Sequence, residues 1–195
     1  MLDRATEAIV MGLTTAIRRM PKGFYDSFDF TRTGNNLCHS VTLGALASVV
    51  SSIKGVAYVG IDVRLNRDGL KFQPDIVGFG EDGDHAVYVD FESPNSSDAR
   101  VPWKDVDAYL SWSGPKLETP YIVVTSLPDR ETSTWELRWT ADGYYNADHK
   151  ERRSEIRANP FRYWSEAWRT AMAGWDLSTV AIININGKKV AQASL

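Results

Sequence analysis

Three acidic residues stand out in a stretch that is otherwise typical of apolar β-strands: Asp75, Asp90 and Glu92. Two strand-like runs, 70–80 and 85–92, flank a short acidic turn with a glycine, which predicts a hairpin. Because side chains alternate along a strand, Asp90 and Glu92 should project from the same face. Burying an unpaired carboxylate costs on the order of several kcal/mol. A divalent cation such as Mg²⁺, which takes oxygen ligands, is one partner that would explain all three acids.

The elements that must position these acids follow from hydrophobic periodicity and from the residues that interrupt it. Apolar residues at helical spacing predict helices, whereas alternating or continuous apolar runs between turn residues predict strands. In chain order, the predicted elements are helices over 3–20 and 36–53, strands over 56–65, 70–80 and 85–92, a helix over 102–113, strands over 121–126 and 135–139, a helix over 160–174 and a hairpin over 179–191. The acids therefore lie on the second and third strands of a predicted three-strand meander.

This order of elements, with these acids, resembles the PD-(D/E)XK nuclease superfamily, which has the restriction-endonuclease-like fold. Pro74-Asp75 matches the proline–aspartate element, Asp90 matches the second acid across a hairpin, and the resemblance covers about residues 36–127. It implies an α/β (α+β) fold with an αβββαβ core, in which helices flank a mixed central sheet, plus an N-terminal helix and a C-terminal helix and hairpin. It also implies a Mg²⁺- or Mn²⁺-dependent endonuclease that acts on DNA.

The chemistry of such a site is the hydrolysis of a phosphodiester bond. A carboxylate-held metal ion lowers the pKa of its bound water and neutralises charge on the transition state. Under this hypothesis Asp75 and Asp90 are the metal ligands, and the backbone carbonyl of Phe91 is a further ligand. Glu92 would orient or deprotonate water, while the Phe91 side chain points away from the acids, towards a core.

The chain departs from the superfamily pattern at one position, because Glu92 stands where a lysine is expected two residues after the second acid. In some restriction enzymes an acid replaces this lysine, and in other branches the lysine has moved to the following helix. The stretch 90–94, followed by Lys104 on a predicted helix, is similar to the second type. Lys104 is therefore the candidate replacement, where its positive charge would act on the water or the phosphate.

Several more distant residues are candidates for the same site. Glu7, on the first predicted helix, is either a solvated acid favoured by the helix dipole or an extra metal ligand. The charged run 141–158 is either a solvated surface or a face that contacts nucleic acid. The candidate nucleic-acid-binding residues are Lys150, Arg153 and Arg157, with a second cluster at Arg18, Arg19 and Lys22.

Composition sets the limits within which these hypotheses lie. A chain of 195 residues is expected to form a single domain, with an N-terminal helix and connector over 1–34, a nuclease-like core over 35–127 and a C-terminal extension over 128–195. The net charge of −3 argues against binding nucleic acid through overall charge alone. The single cysteine, Cys38, excludes an internal disulfide and fits a reducing compartment, so a cytoplasmic location is expected. Structural roles are expected for Cys38 and its neighbour His39.

Two classes of function remain open from the sequence. The first is a nuclease whose partner is nucleic acid, with DNA expected before RNA. The second is a catalytically inactive protein of the same fold that serves as a nucleic-acid or protein interaction module, because a fold alone does not decide function. A metal-dependent hydrolase of another phosphoester is a third hypothesis. No membrane partner is expected because no apolar run approaches the roughly 20 residues of a membrane span, and a homodimer is an alternative to a monomer.

Overall fold

The computed structural model describes residues 1–19, 32–92, 103–127, 172–186 and 189–192. Its helices and strands are α1 (Leu2–Arg19), α2 (Arg32–Val50), β1 (Tyr58–Ile61), β2 (Leu65–Arg67), β3 (Leu70–Phe72), β4 (Ile76–Phe79), β5 (His85–Glu92), α3 (Trp103–Ser113), β6 (Tyr121–Leu127), β7 (Val180–Asn186) and β8 (Lys189–Gln192). The predicted strand 135–139, the charged run 141–158 and nearly all of the predicted helix 160–174 lie outside the described residues. At the end of that predicted helix, residues 172–174 form a turn.

The described strands form a six-stranded mixed sheet and a separate two-stranded hairpin. The order in the large sheet is β1-β4-β5-β6-β7-β8. The pairs β1–β4, β4–β5 and β7–β8 are antiparallel, whereas β5–β6 and β6–β7 are parallel. This arrangement confirms the predicted mixed sheet flanked by helices, with β5 and β6 in its interior.

Each face of the sheet is covered by a different set of helices. Helix α1 buries a stripe at helical spacing, Ala5, Ile9, Leu13 and Ile17, in one core that also contains α2. Alternate residues of β5 and β6 enter this core, among them Phe91, which is 2% exposed. The remaining alternate residues face α3 in a second core, which is rich in aromatic rings.

The aromatic core on the α3 face is organised around Phe72. Its ring lies 5.2 Å from the ring of Tyr88, 6.2 Å from Tyr109, 6.1 Å from Trp112 and 5.8 Å from Tyr121, measured between centroids. Edge-to-face and offset contacts at such separations each add to the stability gained by burial. Phe72 ends β3, so these contacts hold the small β2–β3 hairpin against the main sheet.

Two predicted strands, 56–65 and 70–80, are each divided in the structure. The second is broken at residues 73–75, and Asp75 lies immediately before β4 rather than within a strand. Pro74 has no N–H to donate to a strand partner, which accounts for the break. The predicted meander is therefore β1, β4 and β5, with the β2–β3 hairpin inserted between its first two strands. Its turn, Asp68-Gly69, has positive φ at both residues, as a two-residue hairpin of type I′ requires.

The other predicted elements agree more closely with the structure. The strand 85–92 has the predicted bounds, and the continuous apolar run 121–126 is an interior strand. The predicted C-terminal hairpin is β7–β8, with Asn186 paired to Lys189. Among the helices that the structure describes, none is long and apolar enough to cross a membrane.

Candidate functional site

Asp75 and Asp90, here called the acid pair, are joined by reciprocal hydrogen bonds between neighbouring strands. The backbone N–H of Asp75 donates to Asp90 Oδ1 at 2.7 Å, and the backbone N–H of Phe91 donates to Asp75 Oδ2 at 2.8 Å. Each carboxylate therefore accepts a hydrogen bond from the backbone beside the other acid. The structure thus brings together the two residues that the sequence predicts as metal ligands.

Asp90 is the buried member of the acid pair, with only 8% of its surface exposed. Its Oδ2 accepts a hydrogen bond from the Tyr121 hydroxyl. Burial raises the pKa of Asp90 from its ordinary 3.8 to about 8, and the nearby Asp105 and Asp75 carboxylates contribute to this rise, while the hydrogen bonds from Tyr121 and the Asp75 amide oppose it. The site thus contains more negative charge than its buried carboxyl group tolerates without a cation or a proton.

Asp75 is the more accessible member, with 20% of its side chain exposed. His39 Nε2, from α2, lies 3.7 Å from Asp75 Oδ2, and its ring lies 5.7 Å from the ring of Phe91. The contact with Asp75 raises the pKa of His39, which burial opposes and the charges of Asp62 and Asp90 support. His39 is 38% exposed at its side chain, so it lies at the surface of the site.

The remaining predicted residues of the core site lie on β5 and α3. Regular alternation along β5 places Glu92 on the same side as Asp90, facing α3. The amide and carbonyl of one strand residue point towards the same neighbouring strand, so the Phe91 carbonyl faces the side from which Asp75 approaches. Lys104 is the second residue of α3, and its side chain is outside the described part of the chain.

Three of the more distant candidates lie on the described helix α1. Glu7 is exposed on α1, and Arg18 and Arg19 are exposed in its last turn. Within the described ranges, no three His, Cys, Asp or Glu side chains form a group that could hold a metal ion. A metal ion would therefore depend on the acid pair, the backbone and solvent or substrate oxygens. The other basic candidates, Lys22, Lys150, Arg153 and Arg157, lie outside the described residues.

Among the residues near the acid pair that were not assigned to it from the sequence, Tyr121 and His39 contact its carboxylates directly. Tyr121 begins an apolar strand, so only its burial was predicted. Its approach to Asp90 depends on the parallel β5–β6 pairing, in which Tyr121 is opposite Tyr88 and Asp90 is opposite Val123. His39 lies on α2, and its contact depends on how that helix packs on the sheet. Neither sequence neighbourhood contains a signal for these long-range contacts.

A crevice of about 1170 Å³ lies at the amino end of β5, away from the acid pair. Trp112 Nε1 donates to the Tyr88 hydroxyl at 3.2 Å, and that hydroxyl lies 2.6 Å from His85 Nδ1. The Arg67 guanidinium stands 4.7 Å from the Trp112 ring centre and also donates to the Trp112 carbonyl. These contacts join the four side chains into one polar wall of the crevice.

No family model, curated protein or solved structure matches this chain. The acid pair offers oxygen ligands of the kind that Mg²⁺ and Mn²⁺ prefer. Each carboxylate oxygen has more than one lone pair, so the hydrogen bonds to Asp90 leave capacity for a cation. The donor set therefore fits a hard divalent cation, held by two carboxylates and completed by oxygen atoms from water or substrate.

Proposed function

We propose that this chain is a metal-dependent nuclease that hydrolyses phosphodiester bonds in DNA. The observation that carries the proposal is the acid pair itself: one carboxylate on β5 and one just before β4, interlocked through the backbone and partly open to solvent through Asp75. The likeness of Pro74-Asp75 and Asp90 to the PD-(D/E)XK pattern supports the same conclusion. So does the excess negative charge around Asp90, which a divalent cation would neutralise.

In the proposed reaction, Asp75 and Asp90 would hold a divalent cation, and the Phe91 carbonyl would offer a third oxygen. A bound Mg²⁺ or Mn²⁺ would supply an activated water and neutralise charge on the phosphate. Glu92, at the end of β5, would orient the attacking water or accept its proton. Lys104, in the first turn of α3, places a positive charge near the phosphate. The buried position of Asp90 fixes one ligand, while the partly exposed Asp75 faces the substrate.

The test is incubation of the purified protein with supercoiled plasmid, linear duplex and single-stranded DNA, in Mg²⁺, Mn²⁺ or EDTA. Cleavage is expected with either metal and should be absent in EDTA. Asp75→Asn and Asp90→Asn should each reduce the rate by at least about 10²-fold, because each removes charge at the transition state. Glu7→Gln tests the remaining candidate acid: full activity would exclude Glu7 as a ligand, and a loss like that of the acid-pair variants would include it.

The interaction-module hypothesis is favoured by one observation, the glutamate at position 92 where the superfamily pattern has lysine. It predicts that the protein binds DNA or a protein partner without cleaving DNA under any metal. Cleavage of small phosphoesters but not of DNA would instead favour a hydrolase of another phosphoester. The same set of incubations, extended to a chromogenic phosphodiester, separates the three.

A further inference from the structure

We propose that Tyr121 is a positioning residue of the acid pair, which fixes the direction of the Asp90 carboxylate for a divalent cation. The inference rests on the proposed function and names a residue that the sequence does not link to the site. Tyr121 is fully buried, and its hydroxyl donates to Asp90 Oδ2. The other oxygen, Oδ1, accepts the Asp75 amide at 2.7 Å. Donors from β6 and from the start of β4 therefore hold the two oxygens of one carboxylate, which prevents rotation of that group.

Tyr121 can act as a fixed donor because its own ring is immobilised. The ring stacks on that of Tyr109, with centroids 4.7 Å apart and planes inclined by 20°. Phe72 packs against it edge-on, at 5.8 Å and 72°. The Tyr109 hydroxyl donates to the Thr119 carbonyl at 2.7 Å and lies 2.8 Å from Thr179 Oγ1. The stack is thus anchored at both ends, one hydroxyl on the backbone and the other on Asp90.

The consequence for a bound cation is geometric. A carboxylate that is held through both oxygens presents its remaining lone pairs in one fixed direction, whereas a freely rotating one must be ordered when the cation binds. Hydrogen-bond partners that orient metal ligands typically contribute about 10–100-fold in metal affinity or activity. Removal of the Tyr121 hydroxyl is therefore expected to weaken cation binding even though Tyr121 lies behind Asp90 and touches neither cation nor substrate.

Two single-oxygen deletions in the same stack form a matched pair. Tyr121→Phe removes the donor to Asp90, and Tyr109→Phe removes a buried hydroxyl that bonds elsewhere. Mn²⁺ is the probe, and its dissociation constant is measured by isothermal titration calorimetry and by the free-Mn²⁺ electron paramagnetic resonance signal. Tyr121→Phe should bind Mn²⁺ about 10–100-fold more weakly than the wild type. Tyr109→Phe should bind like the wild type, and excess Mn²⁺ should restore cleavage by Tyr121→Phe.

Equal Mn²⁺ affinity of Tyr121→Phe and the wild type would overturn the inference. It would also be overturned if Tyr109→Phe weakened Mn²⁺ binding as much as Tyr121→Phe, because the effect would then come from packing. If Tyr121→Phe does not fold, the test is instead the tyrosine ultraviolet difference spectrum that the folded proteins show when Mn²⁺ is added. The wild type and Tyr109→Phe should then show a perturbed tyrosine, and a protein that binds Mn²⁺ without one would contradict the inference. A wild type that neither binds Mn²⁺ nor cleaves DNA would refute the proposed function together with the inference. A wild type that binds Mn²⁺ and cleaves DNA, with unchanged affinity in Tyr121→Phe, would refute the inference alone.

Discussion

The charge of the Asp90 carboxyl group depends on the hydrogen bonds and the charges of the residues around it. Two hydrogen-bond donors stabilise its ionised form, whereas burial and the Asp105 and Asp75 carboxylates oppose ionisation, and the balance raises its pKa and favours the proton. Under the proposed function, a cation and a proton would compete for the same carboxylate oxygens of Asp90. In the absence of a metal, the protonated acid can reverse its bond with Tyr121 and donate to that hydroxyl, because a tyrosine oxygen can also accept.

The first prediction concerns stability against pH without metal. Because folded Asp90 has a pKa of about 8 against 3.8 when unfolded, the folded state binds this proton more tightly. Its stabilising contribution is fully present below pH 3.8, declines above it and is lost once the pH has passed about 8. The melting temperature, measured in EDTA, should therefore fall as the pH is raised from about 5 to about 9.

Asp90→Asn is the control for that prediction, because an amide keeps one acceptor and one donor and cannot ionise. Its melting temperature should vary less with pH than that of the wild type. His39 contributes in the same direction, since its pKa is also raised, so His39→Gln is compared in parallel. A wild type whose stability rises over the same pH range would contradict the description of Asp90 as a protonated acid.

The second prediction concerns Glu92, which stands on β5 where the PD-(D/E)XK pattern has a lysine. If Lys104 supplies the positive charge from α3, Lys104→Ala should lower the turnover number by about 10²–10³-fold with little loss of stability. If Glu92 does this work, Glu92→Gln should cause the loss and Lys104→Ala should be nearly silent. Single-turnover cleavage at saturating Mg²⁺ distinguishes the two. Full activity in both variants would mean that the site is wrongly placed.

At the scale of the elements, the face of β4 that packs towards α2 has no room for a side chain at Gly78. Gly78 is paired with Val87, and the register changes between Gly78 and Phe79. A Cβ atom at Gly78 would lie 2.8 Å from Val87 Cγ1 and 3.0 Å from Val56 Cγ2. Both neighbours are branched and stiff, so they cannot easily move away. The absence of a side chain at this position lets α2, β1 and β5 pack around β4.

The third prediction tests this tight packing around Gly78. Gly78→Ala should destabilise the protein by about 1–3 kcal/mol, because it overpacks a filled core. Gly44→Ala is the matched control, since Gly44 lies exposed in α2 with no atom within 4 Å of an added Cβ. That change should stabilise by about 0.5–1 kcal/mol through helix propensity. Urea unfolding measures both, and a neutral Gly78→Ala would show that β4 has room to adjust.

At the scale of the whole molecule, the proposed function would require a chain of net charge −3 to bind nucleic acid through a local basic surface. The fourth prediction is that Arg153→Glu with Arg157→Glu weakens DNA binding and lowers the salt slope by about 1 for each phosphate that the arginines no longer neutralise. Fluorescence anisotropy with Asp90→Asn as the background measures binding without cleavage. Arg18→Glu with Arg19→Glu is the parallel double variant. Unchanged affinity across salt in one double variant would exclude that cluster from the DNA-binding surface.

Local signals in the sequence were enough to predict much of this architecture. The β5 bounds, the interior strand β6 and the terminal hairpin follow from apolar runs and turn residues, and the pairing of Asp75 with Asp90 follows from the hairpin that joins their strands. The break at Pro74 was missed because a proline at a strand edge and a proline within a gap give the same pattern. Tyr121 and His39 were missed because parallel pairing and helix packing are long-range contacts that no local pattern encodes.

The position of β7 between β6 and β8 has a consequence for synthesis of the chain. Strands β1 to β6 precede residue 128, whereas β7 begins at Val180. A nascent chain between these lengths therefore has β6 at an open edge, with the apolar residues 121–124 unprotected on that side. Such edges are templates for pairing with other chains. Translation arrested in this interval should yield an aggregation-prone species, whereas synthesis through β8 should allow β7 to pair with the exposed edge of β6.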